Sequence, residues 1–588
     1  MEARGWRRAV RQTPCPIRLL GPHRRRWLQL ALCAGLVVEL GCASLRRWLV
    51  PPRVEPETTA AGYSKERSTA TAELILVVAA LPGPVTTETA LAVRDGRIIA
   101  RGTLQDLEPL RDDGTRFVRI PGGVATSGLV AAHVLLEPAA MVSDAVDLHG
   151  CRTIADVVAQ LASARQFVLA DSGWLWGDQL DPQLLERLSS VDLDRAVGHI
   201  AVLVTAANKP RAVANGALLG RLGELGTAIA ARGGKLDERA LRLAWQQLQP
   251  ARPERLKPLL FALLAELQRQ GVTEVEAFGA TQAAWTALLL LDREGRLGLR
   301  TQLYLDAERP EGQALLAPPP VATATAPPPS GLPPPQLGRS KRSPMVRVAG
   351  VSVQLDGPLL AGAAALTQPY ADLPHAGTLT YSDDRLGALV AAADRAGVAV
   401  AVAASGDAAV AQVARVLAQL RRPADAPPVR VELPQVVSPS TLDGLKSAGV
   451  QCVIAPLLTA RELEVARRHV GPARVTWLDR AATLATACPL QVHLDIRHPE
   501  ASLTHDRLTR RGERDPEALT APLAWRALSA GGSGREAAAL QVGDAADLVV
   551  WARDPLAPGR LPAKVVASMV GGTITLLIGK EGERPGAP

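Results

Sequence analysis

The chain has 588 residues, 47% of them apolar, so it is long enough to bury a large core and too apolar to be disordered; with aromatics at 3%, Ala, Val and Leu must fill most of that core. The formal charge is +8, but Arg4, Arg7, Arg8, Arg11, Arg18, Arg24, Arg25 and Arg26 against Glu2 put +7 of it in residues 1–26 and leave about +1 for the rest. A body so close to neutral excludes nucleic acid as a partner.

After the basic stretch comes a mostly apolar run at 27–45, followed by Arg46 and Arg47. Its roughly 19 residues give about 28 Å of helix, enough for the hydrocarbon core of a bilayer, and the arginines before it favour a cytoplasmic N-terminus with an exported body. Residues 1–48 are therefore read as a leader, and the protein is expected at the cell envelope, in the membrane through this segment, with its body extracytoplasmic. Leu40-Gly41-Cys42-Ala43-Ser44 is similar to a bacterial lipoprotein processing site with Cys42 as the lipid attachment point, although Glu39 departs from that pattern. An uncleaved anchor, or an apolar stretch with neither role, are the alternatives. Beyond the leader only Cys151, Cys452 and Cys488 remain, without metal-type spacing; one disulfide among them is open, and the pair is not specified.

Residues 49–71 form a tether rich in Pro, Thr, Ser and Glu. Apolar runs at 73–79, 89–93 and 97–100 predict a small β unit, with Arg94-Asp95-Gly96-Arg97 as the turn of a hairpin. From Gly128 onward β-like runs alternate with helical patterns: 200–205 reads as strand, 238–270 as largely helical, and 272–277, 300–304, 347–355, 398–403, 430–433, 452–454 and 490–494 as further strands. This rhythm predicts a parallel barrel with helices outside. The proline-rich segment 317–344 interrupts it as a linker between barrel units, with a polyproline binding segment as the lesser alternative. Strands at 546–551 and 572–578 close the chain, and a composite domain of 72–127 with 538–580 flanking a barrel over 128–537 accounts for β-type sequence at both extremes.

Several stretches carry a resemblance. Leu91-Ala92-Val93-Arg94-Asp95-Gly96-Arg97-Ile98-Ile99-Ala100-Arg101-Gly102 is similar to the opening hairpin of metal-dependent amidohydrolases, and Val542-Gly543-Asp544-Ala545-Ala546-Asp547-Leu548-Val549-Val550 to their closing strand. Between them, Gly173-Trp174, Ala214-Asn215-Gly216-Ala217-Leu218, Gly271-Val272-Thr273, Leu355-Asp356-Gly357, Pro369-Tyr370-Ala371-Asp372 and Ala404-Ser405-Gly406-Asp407 resemble, in order, the subgroup related to N-substituted formamide deformylases. The resemblance implies an α/β fold: a distorted (β/α)8 TIM barrel plus a small composite β-sandwich domain formed by both chain ends. It also implies a hydrolase acting on non-peptide carbon-nitrogen bonds, with a divalent, zinc-like metal as cofactor.

The metal positions implied by that resemblance are largely replaced. In Gly128-Leu129-Val130-Ala131-Ala132-His133-Val134-Leu135 the first histidine of a His-x-His pair is His133, and the second position holds Leu135. Ser352 stands where the family has a lysine, Ala403 and Leu433 stand at two further histidine positions, and Asn208-Lys209-Pro210 replaces a substrate-side Asp-Gly-His. The aspartate of the last element survives as Asp495. Four of six metal or proton-transfer positions are lost, leaving His133 and Asp495.

Two readings follow. In the first, His493, two residues before Asp495 and so on the same strand face, joins His133 and Asp495 as metal ligands, with Asp495 the catalytic proton acceptor; His493 filling a barrel layer and His133 as a core histidine are the structural counterparts. His498 and His505 follow on the next loop, where solvated positions are expected. In the second reading the protein is a pseudoenzyme, a membrane-tethered binding or scaffold barrel without a metal. Buried apolar side chains at Leu135, Ala403 and Leu433 would then dry the pocket and suit a small apolar or amide-like ligand.

Overall fold

The computed structural model describes residues 71–81, 88–142, 145–165, 174–206, 209–248, 252–317, 345–457, 459–494, 501–509, 516–529, 540–555 and 564–578. The leader with Cys42, the tether before residue 71, nearly all of the proline-rich linker, Asn208, Asp495 and His498 lie outside the described residues. Among those described, no helix is long and apolar enough to cross a membrane.

The first strands are β1 (Leu74–Ala80), β2 (Thr89–Arg94), β3 (Arg97–Gly102) and β4 (Arg116–Ser127). β1 pairs antiparallel with β2 and parallel with β4. The β2–β3 turn has Asp95 at φ 49° and Gly96 at φ 73°, the left-handed pair that a two-residue hairpin with the correct twist requires. Gly128 then delivers the chain to β5 (Leu129–Val134), the first barrel strand; a Cβ there would overlap the Thr273 side chain.

Residues Val142–Gln249 form a compact unit of their own. Its strands are β6 (Val146–Asp147), β7 (Trp174–Leu180), β8 (Ala201–Ala206), β9 (Lys209–Ala214) and β10 (Lys235–Leu236), in the order β10-β9-β8-β7-β6. The strand expected at 200–205 therefore forms, but in this sheet rather than in the barrel. Leu148, Leu161, Leu180, Leu193, Val202 and Val204 build its core. Asn215, fully buried, caps the next helix through Leu218 N–H at 3.1 Å and accepts Val202 N–H at 2.9 Å.

The barrel continues with β11 (Val272–Ala280), β12 (Arg300–Asp306), β13 (Val346–Gln354), β14 (Ala399–Ala403), β15 (Val429–Glu432), β16 (Gln451–Ile454) and β17 (Leu490–Val492). All eight strands are parallel in the order β17-β16-β15-β14-β13-β12-β11-β5, and a parallel bridge from Ala132 to His493 joins the two ends of the row. Helices such as Gln282–Arg293, Asp383–Ala396 and Asp407–Gln419 follow the strands. The helical pattern at 238–270 is two helices, Glu238–Leu248 and Pro253–Arg269, the second with proline in its first turn, where the missing N–H costs nothing.

β18 (Leu548–Trp551), β19 (Val565–Val570) and β20 (Thr573–Leu577) complete the composite domain as one seven-stranded sheet, β20-β19-β18-β4-β1-β2-β3. Leu76, Leu91, Leu548, Val550 and Met569 bury one core, and Ile75, Val77, Ala90, Ala92 and Leu107 another, so period-two strands are apolar on both faces. The fold is thus α/β, a distorted barrel with a sandwich domain built from both ends of the described chain. Arg300 at the base of β12 clasps Asp547 before β18 at 2.6 and 3.1 Å, fastening the barrel to that domain.

Candidate functional site

His133, the next-to-last residue of β5, has its backbone at φ 55°, a left-handed conformation unusual for a residue with a side chain. Its Nδ1–H donates to Glu432 Oε2 at 3.2 Å. Glu432 Oε1 lies 3.0 Å from Arg430 Nε, and Arg430 Nη1 lies 2.7 Å from Glu276 Oε2. Tyr304 completes the group: its hydroxyl accepts from Arg430 at 2.7 Å and its ring lies beneath the guanidinium, while Gln491 Nε2 donates to Glu276 at 3.2 Å. Glu276, Arg430 and Glu432 are each 1% exposed and His133 8%. Strands β5, β11, β12, β15 and β17 thus each send a polar side chain into one interior chain of contacts.

Burial alone would raise the Glu432 pKa, but the Arg430 charge and the His133 hydrogen bond outweigh it and hold the carboxyl below its ordinary value. Burial alone would lower that of Arg430, yet Glu276 and Glu432 push it well above the ordinary guanidinium value. The same burial carries the Tyr304 hydroxyl up to about 12. Arg430 is therefore a permanent internal cation between two carboxylates.

His493 is half-buried, directly after β17, and its Nδ1–H donates to the Ala132 carbonyl at 3.2 Å. The His133 and His493 rings stand edge to face with centroids 5.7 Å apart, and Phe278 packs on His133 at 4.4 Å.

The replaced positions have other uses. Ser352, 2% exposed, points its hydroxyl at the carbonyls of Tyr304 and Leu305, 3.1 and 3.2 Å away, and accepts the Gly279 N–H at 3.0 Å. It stitches three neighbouring strands together where the family resemblance implies a lysine. Ala403 is 7% exposed, as expected, but Leu135 is 45% exposed and Leu433 only half-buried at φ 58°. The expectation of three buried apolar replacements is corrected: Leu135 lies between the end of β5 and the helix Leu136–Val142, past the barrel wall. His505 is also not a solvated loop residue; it is 7% exposed in the helix Ala501–Thr509, with Nε2 3.4 Å from the Ala521 carbonyl.

Glu276, Tyr304 and Gln491 have no place in the sequence reading, although one signal was available. Glu274-Val275-Glu276 puts two carboxylates on one face of an otherwise apolar strand, which demands a buried cation. Glu137 was missed as well; burial raises its pKa, and both the N–H and the hydroxyl of Thr281 donate to it.

A family-type metal centre does not fit the residues present. Leu135, Ala403 and Leu433 have no donor atom, the Ser352 hydroxyl is bound to backbone, and Glu432 is committed to Arg430 and His133. Among the described residues no group of three His, Cys, Asp or Glu side chains is arranged to hold a metal ion.

Comparison with known proteins bears on this architecture at the level of the fold. A search of the curated proteins finds no match. Among solved structures, a metal-dependent hydrolase from Pyrococcus horikoshii OT3 is 21% identical with a TM-score of 0.67, covering 82% of this chain and 98% of its own. One from Pyrococcus furiosus is 22% identical with a TM-score of 0.67, covering 82% and 100%. Residues 121–576 match the model of the amidohydrolase family. With the barrel, the flanking sheet from both chain ends and this match over most of its length, the chain belongs to the amidohydrolase family.

Proposed function

We propose that this protein is an amidohydrolase-family barrel that has given up metal-dependent hydrolysis and serves as a binding or scaffold protein at the cell envelope. It is tethered there by residues 1–48, through a lipid on Cys42 or as an uncleaved anchor, with its body extracytoplasmic. One observation carries the loss of hydrolysis: the interior cation is Arg430, already neutralised by Glu276 and Glu432, while the positions that should bring a metal hold Leu135, Ser352, Ala403 and Leu433. Without a metal, nothing polarises a scissile amide or lowers the pKa of a water. The ligand we propose for the barrel pocket is small and apolar or amide-like.

A second reading is supported by the two histidines. His133 and His493 both hold Nδ1–H in a hydrogen bond, the usual arrangement of an imidazole that offers Nε2 to a metal. With Asp495 as third ligand this would be a hydrolase of non-peptide carbon-nitrogen bonds, in keeping with the metal-dependent hydrolases it resembles. Elemental analysis of the purified full chain, followed by amide and formamide hydrolysis with added zinc, separates the two. Absence of bound metal and turnover supports the first reading; one metal per chain with turnover supports the second.

A further inference from the structure

Neighbouring strands of the barrel share ladders of at least three residues, with one exception. Among the described residues β17 and β5 meet in the single bridge from Ala132 to His493, supplemented by the His493 imidazole on the Ala132 carbonyl. β17 is only three residues long, short even for a strand at the lower limit of stable pairing. It depends on its other neighbour, β16, through Cys452 N–H to Pro489 O at 3.0 Å and His493 N–H to Ile454 O at 2.8 Å. At the same place Cys452 of β16 is disulfide-bonded to Cys488, two residues before β17 starts. Both cysteines are buried, at 0% and 4% exposure. His133 and His493 face each other across the weak seam.

We propose that the Cys452–Cys488 disulfide is the latch that closes the barrel at the β17–β5 seam, and that it brings the two histidines of the mouth together only under oxidising conditions. A covalent tie 36 residues long in sequence holds the start of β17 against β16, removing most of the freedom a three-residue strand must otherwise lose to pair on both sides. The latch forms by exchange with a disulfide-bearing oxidant. The thiolate of one cysteine attacks the oxidant's disulfide, the second thiolate displaces it from the mixed disulfide, and the oxidant leaves as a dithiol having taken up the two electrons and two protons. The inference rests on the export reading only for where this happens, since such oxidants act outside the cytosol.

Hydrogen exchange read by mass spectrometry tests the latch on the purified full chain. One sample is oxidised, and the other is unfolded, reduced and refolded with the reductant retained. Peptides covering Leu490–Val492 and Leu129–Val134 should exchange at least tenfold faster in the reduced chain, with Arg300–Asp306 and Val346–Gln354 on the opposite wall changed far less. The Cys452→Ala/Cys488→Ala variant should reproduce this pattern without reductant. No acceleration, or a uniform one across all four segments, including outright failure of the reduced chain to fold, would overturn the proposal. Thiol mapping on chain recovered from the envelope reads the export question separately: free Cys452 there would count against export as the setting and leave the exchange result standing.

Discussion

His133 on β5 and Glu432 on β15 are joined across the barrel interior by a 3.2 Å hydrogen bond, although two strands separate them along the wall. Glu432 in turn belongs to Arg430, so the one histidine retained from the expected metal set stands at the end of a buried ion-pair chain.

Arg430→Met should leave Glu276 and Glu432 buried without a cation. The expected loss is about 3–5 kcal/mol in equilibrium unfolding by urea. Adding Glu276→Met to that variant should recover part of it, because one uncompensated carboxylate is then gone. A single Arg430→Met variant within about 1 kcal/mol of the wild type would mean that water or protonation already compensates the pair.

Glu274 gives a pH signature. Burial, then the like charge of Glu276, raise its carboxyl from 4.5 to about 7. In the window between these values the folded chain holds a proton that the unfolded chain has released, so this group's contribution to stability falls as pH rises and is flat above about 7. The whole change is worth about 3 kcal/mol. Glu274→Gln keeps an oxygen for the Gln302 amide and should gain stability over the wild type as pH goes from 5 to 8. Parallel unfolding curves for the two chains across that range would contradict the assignment.

Gly271, directly before β11, has φ 88°, and a Cβ there would come within 2.7 Å of the Trp551 ring. Trp551 is itself fixed by its indole N–H donating to Thr126 at 2.8 Å. Gly271→Ala is expected to cost about 1–3 kcal/mol and to lower the melting temperature. Far-UV circular dichroism with temperature checks it; an unchanged melting point would show that the ring gives way.

Much of this fold is legible in the residues themselves. Asp95-Gly96 specifies its hairpin turn locally, and the barrel strands are short β-branched runs spaced by helices. Strand 200–205 is legible as a strand but not as a member of another sheet, since a buried parallel run reads alike in either. The motif residues proved to be braces: Asp356 accepts the N–H groups of Ala365, Ser405 and Gly406, each at 2.8 Å, and Asp372 holds His469 at 2.8 Å. Such residues fix loops whether or not chemistry survives, which is why the family is readable while the activity is not. The Arg430 network was hidden for another reason: Glu276, Tyr304 and Arg430 come from distant strands, and only the closed barrel brings them together.

The most direct test is zinc binding by the full chain, measured by elemental analysis after dialysis against micromolar zinc. A barrel that has given up its metal should hold less than a tenth of a metal ion per chain, unchanged by His133→Ala. One tightly bound ion per chain, lost on His133→Ala or Asp495→Ala, would contradict it.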